Sequence, residues 1–95
     1  MEDEMLRYLR QQGYQTGFRR VIIIQELCRL DRIESAEDFW LLLRQQHGIS
    51  WATVYTNLRL LLNMGLIEKE AGLKKSCAYR LVRSDYASIP GYVRT

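Results

Sequence analysis

Histidine, cysteine and proline are all scarce in this chain of 95 residues. There is one histidine, His47, and the two cysteines, Cys28 and Cys77, do not form a Cys-x-x-Cys pair. No Ser-His-Asp, Cys-His or paired-carboxylate arrangement can be argued from one histidine and scattered acids, and no glycine-rich phosphate-binding motif is present. We therefore expect a protein that is not an enzyme and that holds no metal and no cofactor.

Long apolar runs and a secretion signal are also lacking. Apolar runs such as the VIII segment at residues 21–24 are far shorter than the roughly 20 residues of a membrane-spanning helix. The N-terminal segment MEDEMLRYLR does not have the basic-then-apolar pattern of a signal peptide. Two cysteines without such a signal are typical of a reducing compartment. These absences predict a cytoplasmic protein.

The chain does contain enough apolar residues for one folded domain. Hydrophobic residues make up 47% of the sequence and only one proline is present, which argues against disorder. The formal net charge is only +3, but from Arg59 onward there are seven basic residues and three acidic ones. This distribution permits a polyanionic partner without requiring one.

Four amphipathic segments predict four helices. Ser35 and Ser50 are suitable N-caps for the third and fourth segments, and Gly48 is a suitable end for the third. The β-branched run in the second segment could also form a strand, but QELCRL continues the helical period beyond it. We expect Tyr14 and Phe18 to pack across the turn before that helix. The predicted helices cover residues 3–12, 18–30, 36–46 and 50–64.

The fourth predicted helix separates its apolar residues from its polar ones. Apolar side chains recur at i, i+4, i+7 and i+8, which predicts the buried side. The opposite side carries small, hydroxyl-bearing and basic residues, and two aromatic residues lie near the first turns. The apolar stripe consists of Val54, Leu58, Leu61 and Leu62, the opposite side of Ala52, Thr53, Thr56, Arg59 and Asn63, and the aromatic pair of Trp51 and Tyr55.

A β-hairpin is predicted after the helices. GLIEKE and CAYRLV alternate in the manner of two short strands, separated by a turn that contains Gly72. The resulting order predicts a mainly α fold with a small β-hairpin, namely a winged helix-turn-helix with four helices and a two-stranded wing. We expect residues 1–82 to form this domain and residues 83–95 to form a tail that takes part in dimerisation.

This order of elements predicts a role for the fourth helix in binding double-stranded DNA. In a helix-turn-helix the second helix, here residues 50–64, enters the major groove. Small residues, hydroxyls, arginine and aromatic rings suit contacts to base edges and thymine methyl groups, and lysines of the 71–76 wing would contact phosphates. The expected DNA-binding residues are Trp51, Ala52, Thr53, Tyr55, Thr56, Arg59, Arg19, Arg20, Lys74 and Lys75. Such a protein would be associated with the nucleoid when bound.

Three segments resemble the DNA-binding domain of the ferric uptake regulator family. They are SWATVYTNLRLLLNMGLIEKE, GYQTGFRRVIIIQEL and ESAEDFWLLL, and the resemblance covers about residues 5–82. The resemblance implies a DNA-binding transcriptional regulator. It also implies that Ala52 and Tyr55 match base-contacting positions of the family, that Thr53 matches its helix threonine, and that Arg20 matches its upstream arginine.

The chain also departs from the family pattern. Thr56 stands where the family usually has arginine, Gln15 where it often has a basic residue, and Gly17 where it has threonine. Contacts at these positions are not carried over. Family members continue into a second domain that dimerises and holds metals, and we expect this chain to supply the DNA-binding part without the metal sensor.

Three alternatives stay open at the level of sequence. A winged-helix module for protein–protein interaction, anchored by Trp51 and Tyr55, is the second functional hypothesis, because a fold alone does not determine function. Trp51 could equally pack against the third helix or the first helix. Arg19 and Arg20 could form ion pairs with Glu26 or Asp31 instead of contacting phosphate.

A homodimer is a further hypothesis. One recognition helix reads few base pairs, and specific sites usually consist of two half-sites. Pairing would then involve apolar terminal segments, either the first helix or the tail around Tyr86, Ile89 and Tyr92.

Overall fold

Within its described residues the chain forms four helices and a small antiparallel sheet. The computed structural model describes residues 2–72 and 77–82. The predicted order of four helices and a two-stranded wing is confirmed, and the helix ends agree to within one or two residues. The helices are α1 (Glu2–Gln11), α2 (Phe18–Leu30), α3 (Ala36–His47) and α4 (Trp51–Asn63), and the strands are β1 (Arg32–Ile33), β2 (Ile67–Ala71) and β3 (Cys77–Leu81).

The ends of α3 and α4 are set by the residues that the sequence indicated. The Ser35 hydroxyl accepts a hydrogen bond from the Asp38 backbone N–H at 3.0 Å. The Ser50 hydroxyl accepts one from the Thr53 backbone N–H at 3.3 Å. Gly48 ends α3 in the left-handed region with φ 67°, where glycine has no steric penalty. These bonds satisfy backbone donors that have no partner inside a helix.

Removing the cap of α4 should weaken the fold measurably. Ser50→Ala is expected to lower the free energy of unfolding by about 1 kcal/mol, because the Thr53 N–H loses its acceptor. Ser35→Ala is the matched control and should cost a similar amount at the start of α3. Chemical denaturation measures both losses. An unchanged unfolding midpoint in Ser50→Ala would contradict the capping role.

The sheet contains a strand that the sequence did not indicate. Strand β1 pairs antiparallel with β3, so the strand order is β1-β3-β2. The chain leaves α2 through Asp31, whose φ is 69°, and the carbonyl of Asp31 accepts a hydrogen bond from the Leu81 N–H at 2.9 Å. A strand of two residues has no hydrophobic period of its own, and β1 is specified by its pairing with β3.

One hydrophobic core joins all of these elements. Helix α2 contributes the buried side chains of Ile23, Ile24 and Leu27 to this core. The predicted packing of Tyr14 and Phe18 across the turn is wrong, because their side chains are 40% and 67% exposed. The buried residues of the core are Met5, Leu6, Tyr8, Leu9, Ile23, Ile24, Leu27, Ile33, Phe39, Leu43, Ile49, Val54, Leu58, Leu61, Leu66, Ile67, Tyr79 and Leu81.

The apolar side of α1 is used inside the protomer. Met5 and Leu9 are fully buried and Leu6 is 6% exposed. These side chains pack in the core with those of α2, so they offer no apolar surface to a second copy. The first-helix version of the homodimer hypothesis therefore loses its basis. The tail, residues 83–95, lies outside the described residues.

Candidate nucleic-acid interface

Helix α4 buries one side and leaves the other uncovered by the described residues. Three of the four residues of the predicted apolar stripe are buried, namely Val54, Leu58 and Leu61, and Leu62 is only partly buried. The uncovered side is a row at i, i+4, i+7 and i+11 that we call the α4 ridge. It consists of Ala52, Thr56, Arg59 and Asn63, all of which are exposed.

An aromatic ladder runs beside the α4 ridge and connects α4 to α3. The Trp51 ring stacks on Tyr55 with centroids 5.4 Å apart, and it meets Trp40 edge-on at 5.7 Å. The Arg59 guanidinium lies 6.0 Å from the centroid of Tyr55, and that of Arg44 lies 5.6 Å from the centroid of Trp40. The packing of Trp51 against the third helix is therefore confirmed, and Trp51 and Tyr55 are each still 41% exposed.

Tyr55 is held at the end of this ladder by neighbours on its own helix. Trp51 lies four residues before it and Arg59 four residues after it, so the two approach the ring from opposite directions along the helix axis. The interplanar angle of 20° between Trp51 and Tyr55 is that of a stacked pair. The ring edge and the hydroxyl are the parts of Tyr55 that remain for a partner.

A buried asparagine fixes the start of α2 to α4. Asn57 is 5% exposed, and its amide donates a hydrogen bond to the Thr53 carbonyl at 2.8 Å. Its side-chain oxygen accepts one from Arg20 Nε at 2.6 Å, and Arg20 Nη1 donates to the Gln15 carbonyl at 2.6 Å. The sequence did not indicate this network. Its signal was a polar residue placed between Val54 and Leu61 on the buried side.

The two arginines at the start of α2 have different surroundings. Arg20 is bound to Asn57 and Gln15, whereas the Arg19 guanidinium lies 4.9 Å from the ring centroid of the exposed Phe18. The alternative pairing with Glu26 is wrong, because Glu26 forms its ion pair with Arg29 at 2.7 Å. Neither Arg19 nor Arg20 forms an ion pair within the described residues.

Two clefts border α4, one on each side of the α4 ridge. At about 100° per residue, Thr53 and Asn57 lie on one side of the ridge, and Tyr55 and Leu62 lie on the other. The α2 cleft is lined by Gly17, Phe18, Arg19, Arg20, Thr53 and Asn57. The wing cleft has a volume of about 410 Å³ and is lined by Tyr55, Leu58, Arg59, Leu62, Asn63, Lys69 and Tyr79.

The charge of the wing cleft comes from its basic side chains. Burial raises the pKa of the Tyr79 phenol above its ordinary value of 10.0, and the neighbouring Cys77 and Tyr55 act in the same direction. Tyr79 is therefore neutral at physiological pH. Neither Arg59 nor Lys69 forms an ion pair with any described acid.

Much of the basic charge on the sheet is neutralised by nearby acids. Arg80 pairs with Glu68 at 2.6 Å and with Glu70 at 3.1 Å. Arg32 pairs with Glu34 and, at 3.0 Å, with Glu70. Arg80 and Arg32 are therefore paired within the sheet and are not the basic residues that remain for a partner. Lys74 and Lys75 lie outside the described residues.

The part of the chain that the structure describes forms neither a metal-binding cluster nor a membrane-spanning helix. No group of three or more histidine, cysteine, aspartate or glutamate residues in 2–72 and 77–82 is placed to hold a metal ion. His47 is the last residue of α3 and is exposed. None of the helices in the described part of the chain has the length and apolar content needed to cross a bilayer.

Comparison with known proteins identifies the family. The chain matches the model of the Ferric uptake regulator family over residues 11–88. No curated protein and no solved structure gave a significant match. The matched region contains α2, α3, α4 and both strands of the wing, and with them the α4 ridge and the two clefts. Because the match spans well over half of the chain, this protein belongs to the ferric uptake regulator family, whose members are DNA-binding regulators of transcription.

Proposed function

We propose that this protein regulates transcription by placing α4 in the major groove of double-stranded DNA. The observation that carries the proposal is the α4 ridge, a row of small and polar side chains that the described residues leave uncovered. A major groove about 12 Å wide admits a helix of this kind. Ala52 allows close approach, Thr56 offers a hydroxyl, and Asn63 has the side chain that commonly reads adenine.

The clefts on both sides of the ridge support the same placement. Each side of the major groove is bordered by a phosphate backbone, so a helix in the groove needs room for a strand on either side. The α2 cleft and the wing cleft supply that room. Arg19 lines the first cleft and forms no ion pair with a described residue. The first turn of α2 contains no acidic residue to repel a phosphate.

The residue assignments are part of this proposal. Trp51, Thr53 and Tyr55 lie beside the ridge. We assign Tyr55 to base contact and Thr53 to contact with the DNA strand that would lie in the α2 cleft. Arg20 matches a family position but is bound to Asn57, so we assign it to holding α2 against α4. Two further proposals, phosphate contacts from Lys74 and Lys75 and homodimerisation through residues 83–95, rest on the sequence alone.

The second candidate function is a protein-interaction module anchored by Trp51 and Tyr55. Their exposure of 41% each favours it. The aromatic ladder weighs against it, because Trp51 already stacks on Tyr55 and contacts Trp40, so part of its ring is used within the protein's own structure. We therefore rank DNA binding first.

The salt dependence of binding separates the two functions. Fluorescence anisotropy with labelled duplexes, first random and then selected from a random pool, should show affinity falling steeply with salt. The expected log–log slope is about −0.9 per phosphate contact, or about −4 to −5 for four to six contacts. A duplex affinity that is weak and nearly independent of salt would contradict the proposal and favour a protein partner.

A further inference from the structure

The wing sorts its charges onto opposite faces. Residues directly opposite each other in an antiparallel pair share a face, and the register pairs Glu68 with Arg80 and Lys69 with Tyr79. One face therefore carries Glu68, Glu70 and Arg80, and Arg80 forms an ion pair with each of the two glutamates. The other face carries Lys69 beside the buried Tyr79.

Lys69 is on the face of the sheet that forms the core. Ile67 and its partner Leu81 are buried on this face. Lys69 lies two residues after Ile67 in the same strand, so its side chain is on the same face. All acids of β2 point to the other face. Lys69 is exposed and forms no ion pair with a described residue, so packing gives no reason for a lysine here.

The wing cleft provides a reason. Lys69 lines it from β2 and Arg59 lines it from α4, and α4 packs against β2. Tyr79 adds a phenol that can donate a hydrogen bond. Two cations and a neutral donor around one cleft form the donor set that an oxyanion such as phosphate requires.

We infer that the wing cleft binds a phosphate group of the DNA backbone, held by Lys69 from the wing and Arg59 from α4. This inference rests on the proposed function, because the phosphate belongs to a strand that borders the groove occupied by α4. A phosphate bound in the cleft would fix the position of α4, the helix proposed to read bases, relative to one DNA strand. A free phosphate-bearing small molecule has the same chemistry, and the experiment is designed to distinguish the two sources.

The test compares Lys69→Gln with Arg7→Gln, which removes the same charge from α1, a helix that lines neither cleft. We expect Lys69→Gln to weaken duplex binding about three- to tenfold at low salt and to reduce the salt slope by about 1. Arg7→Gln should leave the slope unchanged, and Lys69→Arg should restore it. Lys69 is exposed, so the unfolding midpoint should not move in either Lys69 variant.

Three other outcomes would overturn the inference. An unchanged slope in Lys69→Gln, with wild-type duplex binding intact, would remove the cleft contact and leave the proposed function standing. Saturable binding of inorganic phosphate that Lys69→Gln abolishes, with duplex binding unaffected, would assign the cleft to a free anion. Absence of duplex binding by the wild-type protein would remove the proposed function and this inference together.

Discussion

Tyr55→Ala is expected to lower the affinity for a selected DNA site by about 1–3 kcal/mol and to relax its sequence preference. The physical reason is preorganisation. The Tyr55 ring is stacked on Trp51 with centroids 5.4 Å apart, so little side-chain freedom is lost when it meets DNA. Anisotropy titrations with the selected site and with single base-pair variants of it measure both effects. Normal binding and normal discrimination by a folded Tyr55→Ala variant would show that α4 is not the recognition helix.

Tyr55→Phe identifies which part of the tyrosine makes the contact. The variant keeps the stacked ring and removes only the hydroxyl. Since Trp51 and Arg59 approach the ring from opposite directions, we expect the hydroxyl and the ring edge to face the bases. Tyr55→Phe should therefore lose discrimination almost as far as Tyr55→Ala. Full discrimination by the phenylalanine variant would instead assign the contact to the apolar ring, for example against a thymine methyl group.

The second large effect is expected for stability. Asn57→Ala should lower the free energy of unfolding by about 2–3 kcal/mol. The substitution removes a buried hydrogen bond to a charged arginine and a second one to the Thr53 carbonyl. It also leaves Arg20 partly buried without its acceptor. Chemical denaturation measures the loss. Arg20 connects the segment at Gln15 to Asn57 of α4. DNA affinity should therefore fall as well, because the residues that line the α2 cleft would shift relative to α4.

Asn63→Ala is the matched control for this prediction. It is the same substitution on the same helix, but Asn63 is exposed on the α4 ridge. Its unfolding free energy should change by no more than about 0.5 kcal/mol. Equal stability of the two variants would contradict the role of Asn57 as the connection between α2 and α4.

The fold was largely predictable because its helices carry strong local signals. Ser35 and Ser50 cap the helices that they were expected to cap, and Gly48 ends α3 in the conformation that favours glycine. The apolar stripe of α4 identified its buried side, and with it the exposed ridge. These features depend on residues close together in the sequence, where spacing alone determines which side chains share a face.

The features that the sequence did not indicate depend on distant parts of the chain. Strand β1 exists because it pairs with β3, and Arg20 meets Asn57 across 37 positions. Arg80 pairs with Glu68 and Glu70 because the register of the hairpin places them on the same face of the sheet. A count of charges along the sequence cannot show which basic residues are paired. The face of the sheet on which Lys69 lies likewise depends on the pairing of β2 with β3.

The aromatic ladder gives the protein an optical reporter of its own. The chain has two tryptophans, and both Trp40 and Trp51 belong to the ladder that ends at Tyr55. Any molecule that moves Tyr55 must alter the surroundings of Trp51, and ultraviolet emission from the unlabelled protein will record that change. Occupancy of the α4 surface can therefore be followed in real time without attaching a dye to either partner.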